Sequence, residues 1–478
     1  MLHSRRMTRS IRCAFSTLIS NYKPAIQTIQ ELLQERLSTA TSVLNQHGID
    51  ESYHSCVPPD AVAFVKNTKE ISQVLEICHQ YRTPVIPFAV GSSLEGHVSA
   101  LHGGISLDMN SMNEIISVEP ENMCCRVQAG VTREQLNSEL RATGLFFPVD
   151  PGANASIGGM VATNASGTMT VKYGNMKNAV MGLTVVLPDG RTIKTGSKTK
   201  KSSAGYDLTR LFIGSEGTLG VITEIALQLF GIPEAEKTMV CSFDSVRHCV
   251  DACTTIMQSG IPVARMELMD EAAMNAINKY SKMHHPIAPT LGIECHGTQS
   301  EVAEQSDMIH DILNDFEARG IQWATSLEDR KRLWAARHTA WYATMNQLPG
   351  SRGLCTDVCI PMSKLTDVIA ETQEDIRKSG LLGTIVGHVG DGNFHVMIPF
   401  HPEDKNLMVR VKEFSDRLVL RALRVEGTCT GEHGIGNGKI SYLQLEHGDA
   451  LPVMLSIKNA LDPRNIMNPG KIFYTAEK

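Results

Sequence analysis

The chain has 478 residues, 42% of them hydrophobic and 20% charged, with a formal net charge of −6. These values are typical of a water-soluble protein of about two to four domains, and the acidic balance argues against broad nucleic-acid binding, which needs a basic surface. The 12 cysteines include no CxxC pair, so we expect reduced thiols. No apolar run approaches the ~18 residues that cross a bilayer, and any membrane contact would therefore be peripheral.

The N-terminal segment is basic and rich in hydroxyl side chains. Arg5, Arg6, Arg9 and Arg12 precede the first acidic residue, Glu31. An arginine-rich start without acidic residues is typical of a mitochondrial transit peptide. We place this peptide at residues 1–20 and expect a mitochondrial protein. The alternative is a disordered basic tail.

Hydrophobic periodicity predicts the elements that follow. An N-terminal helical segment at 21–50 contains one amphipathic helix over 24–47. Further along, we predict strands at 61–65, 85–89, 105–109, 115–118, 125–129 and 221–230, and helices at 70–81 and 133–142. After Pro233 the chain becomes richer in long helices, Met and charge, so we place a domain boundary there. A final segment, 426–478, contains a helix near 449–461.

Three glycine-rich loops, at 91–96, 151–167 and 214–220, fall within the first domain. Each exposes backbone N–H groups and hydroxyls, which hold phosphate oxygens without a basic patch. Any one loop alone is typical of a plain turn cluster. None has the G-x-G-x-x-G fingerprint between a strand and a helix, which disfavours a nicotinamide cofactor. Together they predict another phosphate-bearing cofactor.

A histidine pair flanks a turn in the second half of the chain. Asp391 and Gly392 suit a two-residue type I′ hairpin loop, in which His388 faces His395. Their Cβ atoms would then lie roughly 5 Å apart, so that both imidazoles can bind one metal ion. Glu432, in a second glycine-rich segment, offers a third ligand and leaves positions open for a substrate. The alternative is a glycine-rich turn whose histidines cap strand ends.

The three loops, their order and the closing segment 213–224 resemble the FAD-binding domain of the vanillyl-alcohol oxidase/p-cresol methylhydroxylase superfamily. The second half, with 387–395 and 431–436, is similar to the FAD-linked oxidase C-terminal domain. The resemblance implies an α+β fold, with a two-subdomain FAD-binding domain at 51–232. It also implies a substrate or cap domain with a large antiparallel sheet at 233–425. The segment 426–478 would complete the active site and the FAD site.

The resemblance further implies non-covalently bound FAD. The residues expected to bind it are Gly91, Ser92, Ser93, Gly96, Pro151, Gly158, Asn164, Ser166, Gly167, Glu216, Gly217, Ile222, Asn468 and Lys471. Some members of the superfamily bond the flavin to a His or Cys. His97 is the candidate near the first loop, but the nearest relatives bind FAD without a covalent bond.

The resemblance assigns the chemistry to a second set of residues. His388, His395 and Glu432 would bind a divalent metal, with Zn²⁺ as the default and Mn²⁺ or Fe²⁺ also fitting. His433 would be the catalytic base, and Arg337 would grip the substrate carboxylate unless it is a helix-surface ion pair. Asn393 would orient substrate or metal. Glu294 and His296 alternate on a predicted strand and indicate sheet packing, with lining of the substrate pocket as the alternative.

The implied reaction is the FAD- and metal-dependent oxidation of D-2-hydroxy acids, with D-lactate giving pyruvate. Electrons would pass to a respiratory acceptor such as cytochrome c. D-2-hydroxyglutarate and glycolate are alternative substrates within the same group. A flavin-fold transferase without net redox chemistry and a metallohydrolase are alternatives from other classes.

Overall fold

The computed structural model describes residues 22–474, so the predicted transit peptide lies outside the described residues. The strands are β1 (Leu37–Ser38), β2 (Ala61–Phe64), β3 (Val85–Phe88), β4 (Ile105–Asp108), β5 (Ile115–Glu119), β6 (Cys124–Gln128), β7 (Leu145–Phe146), β8 (Val180–Val186), β9 (Thr192–Gly196), β10 (Val221–Gln228), β11 (Phe230–Gly231), β12 (Ala235–Ser242), β13 (Val263–Met269), β14 (Thr290–Gly297), β15 (Arg319–Ala324), β16 (Arg352–Cys355), β17 (Val358–Cys359), β18 (Thr384–His388) and β19 (Asn393–Phe400).

The α-helices are Lys23–Leu33, Thr41–His47, Thr68–Tyr81, Arg133–Leu140, Ile157–Thr163, Thr170–Tyr173, Met176–Ala179, Leu208–Phe212, Val246–Gln258, Glu271–Ser281, Gln299–Asp315, Leu327–Met345, Met362–Ser379, Lys405–Arg424, Ile440–His447 and Leu451–Leu461. Within residues 22–474, no helix is long and apolar enough to cross a membrane. The 11 cysteines in the same range are all free thiols.

Beside a two-stranded sheet of β11 and β7, the first half of the chain forms two larger sheets, as expected for a two-subdomain FAD-binding domain. One has the order β1-β2-β4-β3, with β2 and β3 both parallel to β4. The other is antiparallel, in the order β5-β6-β10-β8-β9. The helix Thr68–Tyr81, capped by Asn67, connects β2 to β3 and buries the predicted stripe of Ile71, Val74, Leu75 and Cys78. Parallel strands need such a crossover, which explains the βαβ unit.

The second half contains the predicted large antiparallel sheet, in the order β15-β12-β14-β13-β18-β19-β16, with β17 paired to β19. Side chains alternate between the two faces of each strand. Leu268, Ile385 and Val396 pack into one large core. Met269, Val386 and Met397 face the opposite way, against the helices Glu271–Ser281 and Leu327–Met345. The α+β expectation is thus confirmed. Polar residues that pair with Met269, Val386 or Met397 across the sheet point to the same face as these three side chains.

The prediction of one helix over 24–47 is wrong. The helix Lys23–Leu33 ends at Gln34, whose φ of 54° is left-handed and stops the helix. A 3₁₀ turn and β1 follow, and a separate helix covers Thr41–His47. Leu37 fits the spacing of the helical stripe but is buried on β1 opposite Ala63. Tertiary packing against β2 therefore overrides a local pattern that fits both states.

Candidate active site

The histidine hairpin has a longer loop than the sequence predicted. His388 pairs with Asn393, and His395 pairs with Val386, so the two histidines are not directly opposite each other. Asp391 does not have the positive φ that a type I′ turn requires, and only Gly392 does, with φ 78°. The loop therefore spans 389–392 and Asn393 begins β19. Because the shift is two residues, both imidazoles still lie on one face, with ring centroids 5.5 Å apart.

The three predicted metal ligands lie close together. Glu432 Oε1 lies 3.2 Å from His395 Nε2 and 3.5 Å from His388 Nε2. One ligand atom from each of the three residues falls within a 4.8 Å group. Both histidines are buried, at 8% and 4% exposure. The sheet supplies the histidines and the C-terminal segment supplies the carboxylate, so the site forms only where the two meet.

Hydrogen bonds fix the orientation of both imidazoles. His388 Nδ1 donates to Glu267 Oε1 at 2.5 Å, and His395 Nδ1 donates to the Thr356 carbonyl at 2.9 Å. A carboxylate and a carbonyl only accept, so each Nδ1 carries the proton and each Nε2 faces Glu432. Metal-binding histidines are held in this way, by an acceptor on the ring nitrogen that does not bind the metal. The donor set therefore fits a divalent cation.

Asp357 organises the loop that carries Glu432 and His433. Its Oδ2 accepts both of their backbone N–H groups at 2.9 Å and the Thr430 hydroxyl at 2.7 Å. Its Oδ1 accepts the Asn393 side-chain amide at 2.8 Å. Burial alone would raise the pKa of Asp357, but nearby His433, Lys439 and His395 hold it well below its usual value. Asn393, predicted to orient substrate or metal, contacts this carboxylate instead.

The charges in the site are unevenly distributed. Burial lowers the pKa of His388, but the carboxylates of Glu267 and Glu432 outweigh burial and raise it to about 10. The pKa of Glu432 is correspondingly low, because the two imidazoles outweigh its desolvation. Burial dominates at His433 and lowers its pKa to about 4, despite the attraction of Asp357. His433 therefore stays neutral at physiological pH and can accept a proton.

Arg337 reaches this site from the helix Leu327–Met345. Its Nε donates to Glu267 Oε2 at 2.8 Å, and Glu267 also holds His388. This is the only hydrogen bond of Arg337 within residues 22–474, so both Nη groups keep their donors. Its side chain is 17% exposed, and its partner is fully buried. Arg337 is thus not a helix-surface ion pair but a fixed cation beside the histidine hairpin.

Several of the predicted FAD residues join the first domain to the C-terminal segment. Glu216 accepts the backbone N–H groups of Ile435 and Gly436 at 2.6 and 2.7 Å. Asn468 donates to the carbonyls of Glu216 and His97, and the fully buried Lys471 donates to the Ser99 carbonyl at 2.7 Å. Burial lowers the pKa of Lys471 to about 8. These contacts bring the third glycine loop against the loop that carries Glu432 and His433.

His97 has a structural partner. Its Nε2 lies 3.1 Å from Glu216 Oε2, and its backbone N–H donates to Asp50 Oδ2. Asp50 also accepts the Ser93 hydroxyl at 2.8 Å, which fixes the first loop. Gly96, with φ 71°, lies so close to Asn437 that a side chain there would clash. The ion pair with Glu216 favours a structural role for His97 over a covalent bond to flavin.

The remaining predicted FAD residues lie on the other loops. Gly91 and Ser92 are half-buried in the first loop, and Gly217 lies against Pro87. Gly158 lies in the first turn of the helix Ile157–Thr163, which Ser156 caps, and Asn164 directly follows that helix. Gly167 lies against Asp150, which Pro151 follows in the chain, Ser166 is half-buried, and Ile222 is buried on β10.

A cavity of about 300 Å³ lies between the second and third glycine loops and Glu432, one of the candidate metal ligands. Asn164, Gly214 and Glu216 line it on one side, and Thr430 and Glu432 line it on the other. Two buried polar atoms beside it, Ser215 Oγ and Asn468 Oδ1, have no partner within the described residues. Buried polar atoms are normally paired, so these fit a bound polar ligand such as FAD.

A second cavity, of about 430 Å³, lies along the helix Leu327–Met345. Its lining includes Arg265, Trp334 and His338, together with Glu294 and His296. The last two were predicted to pack in the sheet, and they do form a buried pair with His296 Nε2 3.0 Å from Glu294 Oε1. They also line this space.

Comparison with known proteins agrees with these features. Residues 232–472 match the family of FAD-linked oxidases, C-terminal domain, and residues 59–196 match an FAD-binding domain. The chain belongs to the family of FAD-linked oxidases. The probable mitochondrial D-lactate dehydrogenase of Danio rerio is 48% identical over 92% of this chain and 89% of its own length. The mitochondrial D-lactate dehydrogenase [cytochrome] of Arabidopsis thaliana is 42% identical over 94% and 80%.

A more distant relative and several solved structures also match along most of their length. The glycolate oxidase subunit GlcD of Bacillus subtilis is 34% identical over 87% of this chain and 89% of its own. Among solved structures, p-cresol methylhydroxylase has a TM-score of 0.77 at 17% identity and covers 96% of this chain and 98% of its own. An alkyldihydroxyacetonephosphate synthase has a TM-score of 0.73 at 20% identity over 91% and 83%. These two structures share the fold.

The sequence interpretation missed four residues that organise the site. Glu267 links His388 to Arg337, and Asp357 holds the backbone of the loop that carries Glu432 and His433. Lys439 Nζ lies 3.1 Å from Glu95 Oε1, which ties the C-terminal segment to the first loop. Burial raises the pKa of Glu95 to about 7, although Lys439 opposes this. A signal was present at Glu267, because an acidic residue within an apolar strand must have a buried partner.

Proposed function

We propose that the chain oxidises D-lactate to pyruvate in the mitochondrion, using FAD and one divalent metal, and passes the electrons to a cytochrome. The observation that carries the proposal is the group of His388, His395 and Glu432, with His433 stacked on His395 and Arg337 bound to the Glu267 carboxylate that also holds His388. Glu432 also lines a cavity together with the second and third glycine loops. Relatives named mitochondrial D-lactate dehydrogenase, at 48% and 42% identity over most of both chains, support it. The bracketed term cytochrome in the second name supports the acceptor.

His388, His395 and Glu432 would hold the metal. Two imidazoles and one carboxylate suit Zn²⁺, Mn²⁺ or Fe²⁺ and leave positions open for a substrate oxygen. A divalent ion there lowers the pKa of a hydroxyl that binds it. Glu267 and the Thr356 carbonyl keep both Nε2 atoms pointed at that position. The protein therefore contributes a prearranged site rather than one that must form on binding.

Removal of the hydroxyl proton falls to His433. Its side chain is 12% exposed and neutral, its ring stacks on that of His395 with centroids 5.0 Å apart, and its Nδ1 has no partner within residues 22–474. Asp357 fixes its backbone, so the ring cannot move far from the ligands. A neutral imidazole with an unused nitrogen suits a general base.

Arg337 would bind and orient the substrate. Its guanidinium is anchored through Nε, and its free Nη groups can form a bidentate pair with a carboxylate. Arg337 would hold the carboxylate of a 2-hydroxy acid, and the hydroxyl of the same molecule would lie near the candidate metal position. The substrate would therefore be fixed at two points. When bound, FAD would supply the acceptor for the hydride that leaves Cα. Holding the reacting carbon in one orientation accounts for a large part of such rate enhancements.

Glycolate is the second candidate substrate, favoured by the similarity to the glycolate oxidase subunit GlcD. Glycolate differs from D-lactate by one methyl group. A hydrophobic contact with one methyl group is worth about 1–3 kcal/mol, or roughly 10–200-fold in specificity. D-2-hydroxyglutarate would need a further cation for its second carboxylate.

The proposal predicts a yellow protein that its substrate bleaches. D-Lactate mixed anaerobically with the FAD-loaded chain should remove the flavin absorbance, and L-lactate should not. Stopped-flow absorbance measures both, with glycolate and D-2-hydroxyglutarate in parallel. A yellow protein that none of the four acids bleaches would contradict the proposal and favour the transferase alternative. A colourless protein that still binds metal would favour the metallohydrolase.

Arg337→Ala should lower kcat/KM for D-lactate by about 10–100-fold, because a hydrogen bond to a charged group contributes about 1.5–3 kcal/mol. Both KM and kcat should change, since the side chain binds the carboxylate and orients Cα. Steady-state kinetics separate the two constants. Arg332→Ala is the matched control, since Arg332 lies on the same helix and its side chain is 74% exposed. Equal kcat and KM in the two variants would show that Arg337 forms only a structural ion pair.

A further inference from the structure

We propose that Cys355, His395 and His433 form a second metal position that takes thiophilic divalent cations such as Zn²⁺ and Cd²⁺, and that its occupation inhibits the enzyme. This position differs from the one formed by His388, His395 and Glu432, although the two share His395. Metal binding at the second position does not depend on the proposed function. Only the inhibition does.

The geometry places a thiol beside the two imidazoles. One ligand atom from each of Cys355, His395 and His433 falls within a 4.8 Å group. A tetrahedral ion with bonds of about 2.0–2.3 Å joins ligand atoms roughly 3.3–3.8 Å apart, so shifts of about 1 Å complete the position. Cys355 ends β16 opposite Met397, and the next residue, Thr356, accepts the His395 Nδ1–H. The backbone therefore holds the thiol next to His395.

The ligand atoms are available for a cation. The Cys355 Sγ makes a weak contact with the Thr356 carbonyl at 3.7 Å and also interacts with the His395 side chain. His433 Nδ1 is buried without a partner within residues 22–474. The rings of His433 and His395 stack, with planes 11° from parallel and centroids 5.0 Å apart, so one ring must rotate before a nitrogen of each points at the same ion. Cys355 is half-buried, which leaves a route for ions and small reagents.

The donor atoms decide which cation each position prefers. A thiolate with two imidazoles is softer than two imidazoles with a carboxylate, so it selects Zn²⁺ and Cd²⁺ over Mn²⁺. The Cys355 thiol loses its proton to solvent when the metal–sulfur bond forms. A cation there removes His395 from the first position and occupies His433, the candidate base. A soft cation at the second position therefore stops proton abstraction.

The test measures binding and inhibition separately on the FAD-loaded full chain. Iodoacetamide labelling of Cys355, followed by peptide mass spectrometry, should be slowed by Cd²⁺ or Zn²⁺ and unaffected by Mn²⁺. The same Cd²⁺ titration should produce a cadmium–thiolate absorption band. Cys355→Ser should abolish the band and weaken Cd²⁺ binding at this position by at least about 10–100-fold. Loss of a residue that only contacts a ligand already weakens metal binding by that factor, and Cys355 is a proposed ligand itself.

Cys359→Ser is the matched control, because Cys359 is also half-buried, lies on the neighbouring β17 and donates its thiol to the Asp391 carbonyl. This variant should keep the absorption band. Zn²⁺ inhibition of flavin reduction, relative to the rate of each variant without Zn²⁺, should weaken at least about 10-fold in Cys355→Ser alone. An unchanged Cd²⁺ band in Cys355→Ser, or Cys355 labelling that Cd²⁺ does not slow, would overturn the second position. Loss of the band without relief of inhibition would overturn its inhibitory role.

Discussion

His433→Ala is expected to slow flavin reduction by D-lactate by about 10²–10⁴-fold, the contribution of a positioned general base. The neutral imidazole of His433 has one nitrogen without a partner within residues 22–474 and lies next to the candidate metal ligands. Its removal takes away the proton acceptor but none of the three predicted ligands. Bound FAD and metal should therefore stay near their normal content, as measured by absorbance and elemental analysis.

The control for this variant is His447→Ala, because His447 lies in the same C-terminal segment but on the surface. Stopped-flow traces should show normal flavin reduction in the control. Near-normal reduction in His433→Ala would remove His433 from the mechanism. Slow reduction with loss of metal would instead assign His433 a role in binding the cation.

His388→Ala and His395→Ala are each expected to lose the divalent metal and almost all turnover while FAD stays bound. The histidines lie on the cap-domain sheet, whereas the glycine loops belong to the other sheets, so the flavin site should survive. Chelation of the unmodified protein should abolish turnover, and a divalent ion should restore it. Metal content and flavin absorbance are measured on the same sample.

Glu267→Gln provides a graded companion to these variants. Its carboxylate fixes His388 without being a predicted ligand, and loss of such an outer partner weakens metal binding by about 10–100-fold. His285→Ala, at an exposed position, is the matched control. Unchanged metal content in both hairpin variants would show that the ligands are wrongly assigned.

Periodicity was enough to predict most elements of the first domain, because its strands and helices are short and clearly patterned. The helix Thr68–Tyr81 and its buried stripe follow directly from spacing. The hairpin register was not predictable in the same way, since the choice between a two- and a four-residue loop depended on the φ of Asp391. The shared face of the two histidines did not depend on that choice, because the shift is an even number of residues.

The polar partners within the site could not be predicted from spacing. Asp357 lies 76 positions before His433, and Glu267 lies 121 before His388, so no local pattern connects them. The sequence left Arg337 open between a substrate clamp and a surface ion pair. The buried partner Glu267 decides against the surface, and this depends on how a helix packs on a sheet.

The docking of the last part of the chain onto the first determines when the protein can mature. Met467 bridges to Val85, Lys458 donates to the Thr218 carbonyl, and Glu216 holds the backbone of the Glu432 loop. A ribosome must therefore release nearly the whole polypeptide before the two ends can meet. Until then the growing chain has neither a closed flavin cleft nor the carboxylate of its metal site. A stop codon ahead of Glu432 would therefore remove the carboxylate of the candidate metal group together with the docking contacts of Lys458 and Met467.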